Sequence, residues 1–199
     1  MKRRNFLKNA SLTGVGLAVG SALVNCAENT SEEKKIITTP EKGSIPLVIA
    51  TWHVMDSTAK AMEVLQAGGN ALDAVEQGCM IEEANEKGQS VGKGGLPDRD
   101  GNVTLDACIM NKDGDCGSVV YLQHITHAVS VARKVMEKTP HVMLAGKGAE
   151  IFALEQGFKK ENLLTEVSKK AWEDWKITSK YAPIINIENH DTIGMLAID

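Results

Sequence analysis

His190-Asp191-Thr192-Ile193-Gly194-Met195, continued by Leu196-Ala197-Ile198-Asp199, is the stretch whose reading decides the fold. A polar cluster from Asn189 to Thr192 runs straight into an apolar, β-prone run with a single Gly inside it. That change of character reads as a loop handing over to a strand that enters a sheet. It sets the Thr192 hydroxyl at the mouth of the strand. Asp-Thr before a hydrophobic run is common punctuation, but the whole string is not. The rest of the chain has to give it meaning.

With 199 residues the chain is long enough for one domain with a real core. Its 43% hydrophobic and 24% charged shares are those of a soluble globular protein, and only 4% is aromatic. The formal net charge is −4; past residue 35 it is −7, from 16 basic against 23 acidic side chains. An acidic body without a basic stripe argues against nucleic acid, whose phosphates reward clustered positive charge.

Residues 1–35 stand apart from the fold. Arg3-Arg4-Asn5-Phe6-Leu7-Lys8 resembles a twin-arginine export signal, followed by an uncharged, Gly-rich segment from Leu12 to Val24 that is too short to span a bilayer. Leu23-Val24-Asn25-Cys26 resembles a bacterial lipobox, with Asn25 where a smaller residue is usual. Lipidation at Cys26 and plain cleavage of the signal both stay open. The expected location is the periplasm, free or lipid-anchored. Of the remaining cysteines, Cys79 and Cys108 fall in helix and strand patterns and are expected to be apolar fillers. No CxxC spacing occurs, and His124 and His127 have no Cys or acidic partner at ligand spacing. No metal site is expected.

Ile45 to Trp52 reads as a buried strand. Ser57 is the expected cap of a helix to about Ala67, ended by Gly68-Gly69-Asn70. A second helix runs from Ala71 to about Asn85, with Leu72, Val75, Cys79 and Glu82 on one face and Ala71, Ala74 and Gly78 small enough for close packing. Gly92, Gly94, Gly95 and Gly101 mark a loop. Val103–Met110 and Gly117–Leu122 then form an antiparallel hairpin. A basic-faced helix follows from Val129 to Lys138, then a short strand His141–Ala145 and helices over 148–156 and 165–177. Lys180 to Asn189 is an expected exposed linker containing Pro183.

HDTIGM resembles the cleavage and nucleophile motif of the glycosylasparaginases, members of the N-terminal-nucleophile hydrolases. Further segments match that pattern in order: Ala50-Thr51-Trp52, Gly68-Gly69-Asn70-Ala71-Leu72-Asp73-Ala74-Val75-Glu76, Ser90-Val91-Gly92-x-Gly94-Gly95-x-Pro97-Asp98, and Thr104-Leu105-Asp106-Ala107-x-Ile109-Met110. The stretch from Val131 to Leu144 is similar too. The resemblance covers roughly Pro46 to Asp199. It implies an α/β fold, the αββα four-layer sandwich, here incomplete, and an amidohydrolase with no cofactor. Its domain plan is a signal and tether over 1–35, a large subunit over 36–191 and the start of a small subunit over 192–199.

The chemistry follows from elementary reactivity. A Thr hydroxyl is a poor nucleophile until a base takes its proton. Cutting the Asp191–Thr192 bond would give Thr192 a free α-amine, with an unperturbed pKa of about 7.7–8.0, able to act as that base near neutral pH. The resemblance implies that the same hydroxyl makes the cut, with His190 and Asp191 straining or polarising the bond. Thr192 would then attack the side-chain amide of a glycosylated asparagine, releasing the aminosugar. Trp52 and Ser90 are the implied substrate-site residues; Asp98 and Arg99 read as a solvated loop pair. In the family a second subunit supplies the substrate-gripping Arg and Asp and the oxyanion-stabilising Thr-Gly. The chain is therefore expected to be the larger subunit plus a stub, inactive by itself, whose partners are its own small subunit and, as a candidate assembly, a homodimer of processed heterodimers. A plant-type asparaginase or isoaspartyl peptidase of the same fold is the alternative enzyme, and a non-catalytic remnant the alternative of another class. The former usually shows Gly-Thr-Val-Gly where this chain has Asp191-Thr192-Ile193-Gly194.

Overall fold

The structure, a computed structural model, describes residues 45–179 and 192–199. The signal and tether, the 180–191 linker, and with it His190 and Asp191, lie outside the described residues. Strand β1 (Leu47–Ala50) leads into helices α1 (Met55–Gln66) and α2 (Ala71–Glu83). The hairpin β2 (Leu105–Met110) and β3 (Cys116–Leu122) comes next, then α3 (Ala128–Lys138), β4 (Met143–Ala145), α4 (Gly146–Glu155), α5 (Glu166–Thr178) and β5 (Met195–Ile198). The chain is α/β, with helices on two sheets, consistent with an incomplete sandwich.

The sheet that matters most joins the two ends of the described chain. β1 pairs antiparallel with β5, in the register Leu47↔Ile198, Ile49↔Leu196 and Ala50↔Met195. The expected hairpin forms, β2 antiparallel to β3, and β4 adds to β3 in parallel. Helices α1 and α2 cover one face of β1–β5, where Ala61, Leu65 and Ala74 meet Val48, Met195 and Ala197. The small residues of α2 make this contact close. A Cβ on Gly78 would lie 2.6 Å from Met195 Sδ and 2.9 Å from the Ser57 carbonyl.

Ser57 does not cap α1 as expected. The helix begins three residues earlier than that cap would give, with Val54 at its N-cap, and Ser57 is fully buried, its hydroxyl donating to Glu82 Oε1 at 3.4 Å. Contact with α2 overrides the local capping preference. Elsewhere capping holds: the Asn70 side-chain carbonyl accepts from Asp73 N–H at 2.9 Å, and Thr165 Oγ1 from Ser168 N–H at 3.3 Å.

β1 is not buried on both faces, contrary to the reading of its apolar run. Leu47 and Ile49 are 41% and 57% exposed, and their partners Ile198 and Leu196 are 54% and 73% exposed. Alternation explains this: Val48 and Ala197 turn to the helices, while the other four side chains turn to a face that no described element covers.

The larger core lies between β2–β3 and α3, around Ile109, Val119, Leu122, Val131, Ala132 and Val135. Helix α3 lies so close to β3 that a Cβ on Gly117 would reach 2.6 Å from Met136 N. A register shift between Leu105 and Ala107, with Tyr121 at φ 55° and its N–H donated to Asp106 Oδ1 at 2.7 Å, returns Leu122 to the buried side. Arg133, on the basic face expected for α3, binds α3 to α2. Its Nη1 donates to Asp73 Oδ1 and Glu76 Oε2, both at 2.6 Å, and its Nε to Glu137 Oε1 at 2.7 Å.

A second charged hub sits at α4. Glu150, 3% exposed, accepts from Lys147 Nζ at 2.7 Å, from Lys160 Nζ, and lies 3.0 Å from His124 Nδ1. Lys147, then Lys160, then His124 hold its carboxyl down at about 2, against an ordinary 4.5. The folded value lies below the unfolded one, so the contribution is complete above about pH 5 and fades as pH falls through the unfolded value toward 2. Acid unfolding of Glu150→Gln, followed by circular dichroism, is expected to lack the part of the stability loss that the parent shows over that window. Parallel losses in parent and variant would contradict the assignment.

Candidate active site

Pairing of β1 with β5 delivers Thr192 to the end of β1. Three hydrogen bonds fasten it there. Thr51 N–H donates to the Gly194 carbonyl at 2.9 Å, Gly194 N–H to Thr51 Oγ1 at 2.9 Å, and Trp52 Nε1–H to the Thr192 carbonyl at 2.6 Å. Trp52 adopts φ 62°, a left-handed conformation uncommon for a bulky residue, which turns the chain sharply out of the strand. So Trp52 and Thr192, 140 positions apart in sequence, are neighbours through main chain and indole. Thr51 belongs to the same clasp. It belongs to the Ala50-Thr51-Trp52 motif, but only the strand register reveals what its hydroxyl does.

Thr192 and Ser90 both line one cavity of about 620 Å³, together with Glu83, Gly92, Asp106 and Cys108. Ser90 sits in the Gly-rich loop, which is tied down rather than loose. Lys93 N–H donates to the Glu83 carbonyl at 2.7 Å and Gly94 N–H to the Leu163 carbonyl at 2.8 Å, while the Ser168 hydroxyl donates to the Gly94 carbonyl. Farther along, Trp172 Nε1–H donates to the Arg99 carbonyl at 3.1 Å. Asp98, expected to be solvated, spends its carboxylate on the turn itself, with Oδ1 accepting the N–H groups of Asp100 and Asn102 at 2.9 and 2.8 Å.

Glu83 and Cys108 depart from the expectations. Glu83, not Glu82, is the buried acid of α2: it is 5% exposed and its Oε1 accepts from Val129 N–H at 2.9 Å near the start of α3. The four-residue step from Cys79 lands on Glu83, so the helical period carried that signal. Burial, opposed by His127 and the Val129 N–H, raises its carboxyl above the ordinary range. Cys108 is exposed on the cavity side of β2, not a buried filler, whereas Cys79 is half-buried and its thiol is pushed up to about 12, chiefly by burial.

The arrangement offers a hydroxyl at the end of a strand, a second hydroxyl on a fixed loop, and a carbonyl gripped by an indole. A family model described as asparaginase matches residues 37–199. The chain is 50% identical over 198 residues to an N(4)-(beta-N-acetylglucosaminyl)-L-asparaginase of Elizabethkingia miricola, covering 99% of this chain and 56% of that protein. It is 38% identical over 185 residues to the rat protein of the same name and 37% identical over 186 residues to the mouse one, each match covering 77% of this chain and 54% of the relative. The chain spans about half the length of these curated relatives.

Proposed function

The chain belongs to the asparaginase family, among the glycosylasparaginases of the N-terminal-nucleophile hydrolase superfamily, and from that premise we propose that Thr192 is both the autoprocessing and the hydrolytic nucleophile. The observation that carries this reading is the seat of Thr192: its carbonyl is held by Trp52 at 2.6 Å and the residue lines the 620 Å³ cavity with Ser90. In the first reaction Thr192 Oγ attacks the Asp191 carbonyl carbon. The peptide C–N bond breaks, an ester forms, and the nitrogen becomes the α-amine of Thr192. Water then opens the ester. His190 and Asp191 assist by straining or polarising that bond.

In the second reaction the freed amine takes the Oγ proton as Oγ attacks the side-chain amide carbon of glycosylated asparagine. The amine passes the proton to the departing aminosugar nitrogen, leaving an aspartyl ester on Thr192. Water releases aspartate and restores the hydroxyl. The exposed apolar face of Leu47, Ile49, Leu196 and Ile198 supports a second half of the sandwich packing there, in keeping with the greater length of the relatives. That half supplies the remaining substrate contacts and the oxyanion donors.

Release of aminosugar from glycosylated asparagine, measured against cleavage of an isoaspartyl dipeptide, tests the substrate assignment; preference for the dipeptide would move the protein to the alternative enzyme. Trp52→Phe keeps an aromatic ring and removes the N–H to the Thr192 carbonyl. Hydrolysis by the assembled protein is expected to fall about tenfold, the worth of one hydrogen bond of ~1–1.5 kcal/mol. Undiminished hydrolysis would show that the indole N–H plays no part. The twin-arginine-like leader and Cys26 further support export to the periplasm, free or lipid-anchored. Recovery of the protein from cytosol with its leader intact would contradict that.

A further inference from the structure

At the cavity wall, Glu83 and the neighbouring His127 hold two polar atoms that no other group among the described residues satisfies. Glu83 Oε2 and His127 Nδ1 are both buried without a hydrogen bond, and they stand 3.4 Å apart. Leaving two such atoms unpaired is costly, and one shared proton would satisfy both. We propose that Glu83 is a positioning residue for the Thr192 cavity, holding the Ser90 loop in place through a proton it shares with His127.

Three connections meet at this residue. Its Oε1 accepts from Val129 N–H, which fixes the start of α3. Its carbonyl accepts from Lys93 N–H, which fixes the loop two residues after Val91. Gly92 lies directly on its backbone, so closely that no other residue fits there. His127 is the N-cap residue of α3 and makes no side-chain capping bond, so its ring is available to Glu83. A proton on His127 Nδ1 donated to Glu83 Oε2 pairs both buried atoms and stiffens this junction. Without it the carboxylate keeps only the Val129 N–H.

The other charged groups around the pair are accounted for. Glu76 and Cys79 lie on α2 with Glu83, and Glu76 is engaged by Arg133 of α3. On the loop, Lys93 Nζ pairs with Glu86 at 2.7 Å and Glu161 at 3.6 Å. From β2, Asp106 lines the same cavity and accepts from Tyr121 N–H. Among these described groups His127 is the one at ion-pair distance from Glu83.

The positioning role rests on reading the cavity as the site of Thr192 chemistry; the shared proton does not. The test is proton NMR of the His127 ring in the full chain, in parent and Glu83→Ala. A downfield Nδ1–H resonance protected from solvent exchange is expected in the parent and lost in the variant; its absence from the parent, or its persistence in Glu83→Ala, overturns the proposal. A second readout follows tryptic cleavage at Arg99 in the loop, relative to the exposed Lys112. In His127→Phe, which removes the shared proton, the ratio is expected to rise about fivefold over the parent, the worth of roughly 1 kcal/mol. His127→Asn, which keeps a donor, is expected to restore the parent ratio. Equal ratios in parent and His127→Phe overturn the proposal. Both results are expected unchanged in Thr192→Ala, so the pair and the nucleophile stand or fall separately.

Discussion

Thr192→Ala is expected to abolish both reactions: no cleavage between Asp191 and Thr192, and hydrolysis of glycosylated asparagine reduced by about a millionfold, the scale seen when a nucleophile is removed. The size of the effect follows from one residue holding two roles. Its hydroxyl is the attacking group and its amine, once freed, is the base, so alanine removes the first and, by blocking cleavage, the second. Thr192→Ser keeps both and is expected to retain cleavage at a reduced rate. The fold should survive alanine, because Thr192 is exposed and its grip on Trp52 runs through the carbonyl, which any residue supplies. Equal thermal stability with lost cleavage, read by mass spectrometry and calorimetry, is the expected pair of results. A Thr192→Ala protein that still divides at this bond would remove Thr192 from the mechanism.

The largest structural effect is expected at Gly92→Ala. Gly92 has φ 65°, a backbone that L side chains adopt at a cost of roughly 1–2 kcal/mol. A Cβ there would also fall far inside van der Waals contact with the Glu83 carbonyl, Cα and carbonyl carbon, all of them backbone and unable to swing away. Overpacking adds a further 1–3 kcal/mol or so. A total of about 3 kcal/mol corresponds to a fall of roughly 10 °C in Tm for a domain of this size. Because the loop carries Ser90, hydrolysis is expected to drop even in the folded fraction. A Tm within about 2 °C of the parent would show that the loop relaxes without strain.

Local pattern in the sequence was enough for the hairpin, for the helix from Ala71, and for the small residues that let α2 lie close. Those features depend on periods of two and 3.6 and on turn chemistry within a few residues. What escaped was decided at long range. Ser57 has the chemistry of a cap, yet packing against α2 buries it inside the helix. The apolar run of β1 suggested burial on both faces, but the side chains of Leu47 and Ile49 face outward with those of Leu196 and Ile198. The clasp of Thr51 and Trp52 on residues 192–194 joins segments some 140 residues apart, and no periodicity encodes such a pairing. Thr192, Trp52 and Ser90 entered through a resemblance of motifs, and the structure brings Trp52 to Thr192 and Ser90 to the cavity that Thr192 lines. Glu83 was one helical step from a face already drawn. His127 carried no signal beyond its identity, since its meaning lies in Glu83 being 3.4 Å away.

N-terminal sequencing of the two chains recovered from the working hydrolase is the direct test of the central claim. One chain is expected to begin at Thr192, with its threonine unblocked. A working hydrolase recovered as one uncut chain, or a second chain beginning anywhere else, would contradict it.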